Sequence, residues 1–200
     1  MVTLYMEGAG KREQDIQLRK SMRSFLEKEL GDQAKKIKII PSGHQNDTIK
    51  NFKQHNDPEK TAYLLVDSEQ EITASTTAIL HLQNKQPTYR KLWKETADKQ
   101  VHLMVQKMES WFLADLEGLR KFYGDSPAQL KPPQNVETLS KKEVDAVLRT
   151  CIKFTKKKQY EKSHGHVLLG YINPKKVRKA SYFCNHFFST LEDHLKEPHA

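Results

Sequence analysis

Three short runs near the start of the chain, residues 2–6, 36–40 and 61–66, have strand character. Each is rich in β-branched, aromatic or aliphatic side chains and is bounded by charge or turn-forming residues. Between the first two, Ile16, Met22, Phe25, Leu26 and Leu30 recur at roughly helical spacing, so a helix is predicted over 11–30, with Gly31 as its stop. A second helix is predicted over 47–55, where Ile49 and Phe52 stand three apart and Asp57-Pro58 closes the segment. Strand, helix, strand, helix, strand favours a largely parallel sheet covered by helices.

Residues 73–88 are polar and rich in Thr and Gln and read as a connection, followed by a short helix near 89–96. Val101, Leu103 and Val105 then alternate with His102, Met104 and Gln106, the pattern of a fourth strand. One helix is predicted over 108–123, with Trp111, Phe112, Leu116, Leu119 and Phe122 on its apolar side and Gly124 ending it. Pro127, Pro132 and Pro133 mark a break. Beyond Val136 lie a basic region and an amphipathic stretch over 180–195 carrying Tyr182, Phe183, Phe187, Phe188 and Leu191. The expected class is α/β: a mostly parallel central sheet flanked by helices over 1–125, and a basic, mainly helical extension over 126–200 packed on it.

Two hundred residues can bury a core without covalent staples. No apolar run approaches the length of a bilayer span, which excludes a membrane-spanning helix, and with no basic leader at the start a cytoplasmic protein is expected. Cys151 and Cys184 are far apart and suggest neither a disulfide framework nor a thiolate zinc site. The formal net charge is +9, and residues 141–180, with twelve Lys/Arg against three Asp/Glu, account for all of it. Such a local surplus suits a surface that meets a polyanion, and equally a solvated face. Lys156, Lys157, Lys158, Tyr160, Lys162 and His164 mix charge, an aromatic ring and a titratable ring, as contacts to a nucleic-acid backbone and bases require; a solvated loop is the plain alternative. Lys175, Lys176, Arg178 and Lys179 follow Pro174 on a predicted helix and extend the basic surface.

Acidic residues follow three of the four predicted strands: Glu7 after the first, Asp67 and Glu69 after the third, and Glu109 after the fourth, at the entry to a helix. In an open parallel sheet the loops beyond the carboxyl ends of the strands face one crevice, so these carboxylates can converge. Like charges brought together need protons or divalent cations, and hard oxygen donors suit Mg²⁺ or Mn²⁺. Acidic residues in such places also cap helices and mark turns. Glu109 at a helix start is equally a favourable charge there, and Asp115, six residues on, cannot share a point with it through the helix alone.

The stretches LYMEGAGK, YLLVDSEQE and HLMVQKMESWFLAD, in that order, resemble a small bacterial family of uncharacterised proteins with a TOPRIM-like fold. That is the catalytic domain shared by topoisomerases, primases and overcoming-lysogenization-defect nucleases. The later KKKQYEKSHGHVLLGYINPKKVRKAS resembles the family's C-terminal portion, so the resemblance covers nearly the whole chain. It implies that Glu7 acts as a general acid/base or metal ligand and that Asp67 and Glu69 form the acid-x-acid pair of Mg²⁺ ligands. Here the pair is Asp-Ser-Glu where the family pattern is Asp-x-Asp. It further implies a metal-dependent nuclease, the effector of a phage-defence system encoded beside an ABC-type ATPase. A catalytically lapsed nucleic-acid-binding or regulatory subunit of such an ATPase complex is the alternative, and phosphoryl or nucleotidyl transfer to a small molecule is a third.

Other features carry less. Gly8 to Lys11 resembles part of a phosphate loop, but Arg12 stands where a hydroxyl should hold Mg²⁺. Gly8 and Gly10 fit a tight turn, and Lys11 is either a phosphate contact or exposed. Glu71 reads as solvent-exposed, Trp111 as core, and His44 and His102 as structural. On a strand, His164 and His166 would share a face, without a third ligand for a metal.

Overall fold

A computed structural model describes residues 2–55, 61–72, 76–124, 130–153, 155 and 159–196, the side chains at 94 and 95 excepted. Lys156, Lys157 and Lys158, the Asp57-Pro58 stop and Pro127 lie outside the described residues. Four strands, β1 (Val2–Met6), β2 (Ile37–Pro41), β3 (Ala62–Asp67) and β4 (Val101–Met104), form one all-parallel sheet in the order β2-β1-β3-β4. The strand, helix, strand pattern read from the sequence is realised: α1 (Arg12–Leu30) links β1 to β2, and α2 (Gln45–His55) follows β2.

Side chains alternate across a strand, and here both sides are buried. Leu4, Met6, Tyr63, Leu65 and Met104 point to one face, where they pack with α1 and the C-terminal helices. Tyr5, Leu64, Val66, Val101 and Leu103 point to the other. That second face is covered by α2, α3 (Ala78–Lys85) and α4 (Arg90–Glu95), through residues such as Phe52, Leu82 and Trp93. Leu4, Leu64 and Leu65 are wholly buried, worth roughly 1.5–3 kcal/mol each relative to exposure.

The structure differs from the sequence pattern in four places. Within the polar stretch 73–88, α3 forms behind Thr77, whose hydroxyl accepts Leu80 N–H at 3.2 Å, a helix start without a strong apolar period. β4 ends at Met104, because Gln106 turns into the left-handed region (φ 61°). The helix predicted over 108–123 is broken into α5 (Glu109–Leu113) and α6 (Leu116–Tyr123). At the break, buried Asp115 leaves the helical path to accept Asn173 N–H at 2.9 Å and Lys176 Nζ at 2.6 Å. His164 and His166 sit on a helix, α8 (Lys162–Leu168), and not on a strand.

The rest of the C-terminal region is α7 (Lys141–Ile152), α9 (Pro174–Ala180) and α10 (Tyr182–Lys196). Val144, Leu148, Leu168, Val177, Phe187, Phe188 and Leu191 share one apolar cluster with β1 and α1. Arg178 on α9 bridges Glu29 of α1 and Glu192 of α10, tying the three helices together. Trp111 is wholly buried against Phe25. No helix among the described residues is long and apolar enough to cross a membrane.

Candidate metal centre

Glu7 follows β1 directly and its backbone continues the ladder, with Glu7 N–H donating to Leu65 O at 3.1 Å. Its Oε2 turns toward the neighbouring strand and accepts Asp67 N–H at 3.2 Å. Asp67, the last residue of β3, is fixed from three sides. Gln45 Nε2 donates to its carbonyl at 2.5 Å, Met108 N–H donates to Oδ1 at 2.9 Å, and its amide holds Glu7.

The intervening Ser68 is a structural residue, wholly buried. Its Oγ accepts Gln106 N–H at 2.8 Å and donates to Gln70 O at 2.5 Å, while its carbonyl takes His81 Nε2 at 2.8 Å and Lys85 Nζ at 3.2 Å. Held by that clamp, Glu69 adopts φ 64°, a conformation uncommon for a residue with a Cβ, and its N–H donates to Gln106 O at 3.1 Å. The turn returns the Glu69 side chain to the side of Asp67. One oxygen from each of Glu7, Asp67 and Glu69 then lies within 4.8 Å of the others, and among the described residues this is the one grouping of three or more potential metal ligands.

The electrostatics follow from that convergence. Burial raises the Glu7 pKa, and repulsion from Glu69 adds to it; the Asp67 N–H, Lys85 and His44 oppose. Burial holds Asp67 well above the usual carboxylate range, and Glu7, Glu109 and Glu69 all push the same way against the single Met108 N–H. Burial and mutual repulsion thus both disfavour the charged forms of two of the three carboxylates. Three hard oxygen donors fit Mg²⁺ or Mn²⁺ better than softer metals, which favour imidazole or thiolate.

The carboxylates form the floor of a cleft of about 390 Å³. Gly8 and Ala9 line it from the loop between β1 and α1, Gln14 from the first turn of α1, and Glu109, only 9 % exposed, from the start of α5. Glu109 Oε1 accepts the Tyr160 hydroxyl at 2.8 Å. The rim is basic: Lys107, Lys141, Lys162, His44 and His166 all line the same cleft. Lys141 pairs with Glu69, and Lys107 with Asp145 at 2.5 Å. Burial lowers the His166 pKa, with Asp15 and Glu109 opposing.

A protein-family model described as "Domain of unknown function (DUF4276)" matches residues 6–192. The chain belongs to the DUF4276 family. No curated protein and no solved structure matches it. The DUF4276 match runs from the end of β1 into α10, so the acidic floor and the helices that supply the basic rim all fall inside it.

The four acidic residues singled out in the sequence thus meet at one cleft. Of the basic set, Lys162 lines it and Tyr160 reaches Glu109, whereas Lys11 is exposed at the start of α1 and His164 turns to the Tyr123 hydroxyl, 3.1 Å from its Nδ1. Lys107, Lys141, His44 and His166 were not singled out as site residues. The one legible sign was Ser140-x-x-Glu143: Ser140 Oγ accepts Glu143 N–H at 3.3 Å and Glu143 Oε2 accepts Ser140 N–H at 2.8 Å, which fixes where α7 starts. Lys141 occupies the first turn of α7, where a cation opposes the helix dipole, and its pairing with Glu69 offsets that.

Proposed function

We propose that the chain is a TOPRIM-like, Mg²⁺- or Mn²⁺-dependent phosphodiester hydrolase acting on DNA or RNA. The observation that carries this reading is the meeting of Glu7, Asp67 and Glu69 oxygens within 4.8 Å at the carboxyl ends of two adjacent parallel strands. A glutamate after β1 and an acid-x-acid pair after β3 are what the resemblance implies, and their adjacency supports it. Glu7, Asp67 and Glu69 would hold the metal, and Glu109 would support them. A divalent cation so held neutralises charge on a phosphoryl group and makes water a better nucleophile.

The chain's own residues do the remainder. Lys162 on the rim, and Lys107 and Lys141 once a phosphate takes the place of their Asp145 and Glu69 partners, offer cations to a phosphate backbone lying over the carboxylates.

Isothermal titration with Mn²⁺ and cleavage of labelled DNA and RNA test this together. The parent is expected to bind Mn²⁺ and to cleave one of the polymers, with a rate that falls steeply as salt rises; Glu7→Gln and Asp67→Asn should lose both properties while retaining nucleic-acid binding. Cleavage that survives both substitutions rejects the assignment.

One observation favours the second reading, a regulatory or nucleic-acid-binding subunit of an ATPase complex: Lys141 already seats a positive charge on Glu69. In that case the parent takes up no Mn²⁺ and still binds nucleic acid.

A further inference from the structure

Glu109 adjoins the three-carboxylate cluster, and what fixes it comes from far along the chain. Tyr160, just ahead of α8, donates its hydroxyl to Glu109 Oε1 at 2.8 Å across a separation of 51 residues. The residue before Glu109, Met108, donates its N–H to Asp67 Oδ1. Glu109 is therefore held on one side through its backbone neighbour to the cluster, and on the other through its carboxylate to Tyr160. A phenol donating to a carboxylate makes a charge-assisted bond, stronger than a neutral one, and it restricts the rotamers of both side chains.

The packing behind Tyr160 leaves little freedom. A Cβ built on Gly165 would lie 2.6 Å from the Tyr160 hydroxyl oxygen, 3.4 Å from Met108 Cε and 3.7 Å from Phe112 Cε2. Glycine within a helix such as α8 is unfavourable by comparison with alanine. Any residue with a Cβ, however, would drive the hydroxyl off the position where it meets Glu109. The Gly165 backbone thus forms the back of a slot whose front is the Glu109 carboxylate.

We propose that Tyr160 is a positioning residue of the metal centre: its hydroxyl holds the Glu109 carboxylate beside Asp67, and Gly165 supplies the space that makes this possible. The inference rests on the hydrolase reading above and adds a physical link between the basic C-terminal region and the acidic floor. Without the hydroxyl the three clustered carboxylates remain, and Glu109 is free to rotate away from them.

Two substitutions test the slot from opposite sides. Tyr160→Phe keeps the ring and removes the hydroxyl; Gly165→Ala keeps Tyr160 and takes its space. Both are expected to lower Mn²⁺-dependent kcat by about 10–100-fold, the usual loss on removing a partner that orients a metal site, with KM for nucleic acid changed by less than about twofold. Gly165→Ala gains in helix preference and loses to the displaced Tyr160, so the melting temperature is read alongside kcat, and Tyr160→Phe, which adds no atom, separates loss of the hydroxyl from overpacking.

A second readout needs neither metal nor activity. In metal-free protein labelled with ¹³Cζ-tyrosine, the Tyr160 resonance, assigned by its loss in Tyr160→Phe, is expected to shift in Gly165→Ala and in Glu109→Gln. If the parent cleaves and both slot variants cleave at its rate, the positioning role is overturned and the hydrolase reading stands. If the parent neither binds Mn²⁺ nor cleaves, the hydrolase reading falls, and an unmoved resonance in both labelled variants then removes the Tyr160–Glu109 link as well.

Discussion

Replacing Asp67 by asparagine should act in opposite directions on stability with and without a divalent cation. In the metal-free protein the Asp67 carboxylate is desolvated and faces Glu7, Glu109 and Glu69, and its pKa stands well above the ordinary 3.8. A carboxyl whose pKa rises on folding binds its proton more tightly in the folded state. Its contribution is fully present below 3.8 and is lost as the pH rises through the folded value, so at neutral pH the charge destabilises the fold. Asparagine preserves the volume and the oxygen that accepts Met108 N–H at 2.9 Å, and leaves the backbone bonds to Glu7 and Gln45 in place. What goes is a buried carboxyl that desolvation and three like neighbours hold away from its charged form. Relief on the order of 1–3 kcal/mol is expected, the cost of a buried polar group left without full compensation. In a chain of this size that raises the melting temperature by about 2–12 °C at neutral pH in chelator. The gap should close as the pH falls below the unfolded value of 3.8, where the parent carboxyl becomes protonated in both states. With Mn²⁺ at about 1,000 times its dissociation constant the parent gains about 4.1 kcal/mol and the variant almost none, so the order of the two melting curves reverses. Scanning calorimetry in chelator and in Mn²⁺ reads both arms. A variant that melts at or below the parent in chelator, or gains equally from Mn²⁺, would falsify the reasoning.

Three further changes probe separate parts of the argument. Lys141→Ala removes the cation that competes for Glu69; the pair is more than a third exposed on both sides and worth about 0.2–1 kcal/mol, so Mn²⁺ affinity should rise by up to about fivefold, and a fall in titration would show that Lys141 assists the site. Gly8→Ala places a Cβ 2.6 Å from Asp15 Oδ1, the acceptor of Ala9 N–H, and 3.0 Å from Pro41 Cβ. The loop carrying Glu7 must then shift, and Mn²⁺ affinity should drop about tenfold or more; an unchanged affinity means the loop yields without moving Glu7. His102, buried between the sheet and α10, has its pKa lowered from 6.5 to about 3 by burial, with His186 adding to the effect. The unfolded chain therefore takes up a proton that the folded one refuses. Stability should fall by about 1.4 kcal/mol per unit as the pH drops from 6.5 toward 3, and His102→Phe should lessen that slope in urea titrations across the range.

The legible part of this molecule is the part governed by local rules. Parallel strands buried on both faces announce themselves by apolar runs, and the residues that follow them must surface at one end of the sheet, so Glu7, Asp67 and Glu69 were readable as a group before any geometry. The break between α5 and α6 was not readable, because Asp115 is drawn out of the helix by Asn173 and Lys176, partners 58 and 61 residues away. The same holds for the rim. Lys141 meets Glu69 across 72 residues and Tyr160 meets Glu109 across 51, and nothing in the spacing of a basic run says which of its members will face the sheet. The acidic floor is set by strand order, whereas Lys141, Lys162 and His166 of the rim are set by how the C-terminal helices dock on the sheet domain. A perturbation of that docking distant from the cleft, such as loss of the Arg178 bridge between Glu29 and Glu192, should therefore disturb nucleic-acid engagement before it disturbs Mn²⁺ binding. The reverse order, with Mn²⁺ binding lost first, would mean that the helices and not the strands shape the floor.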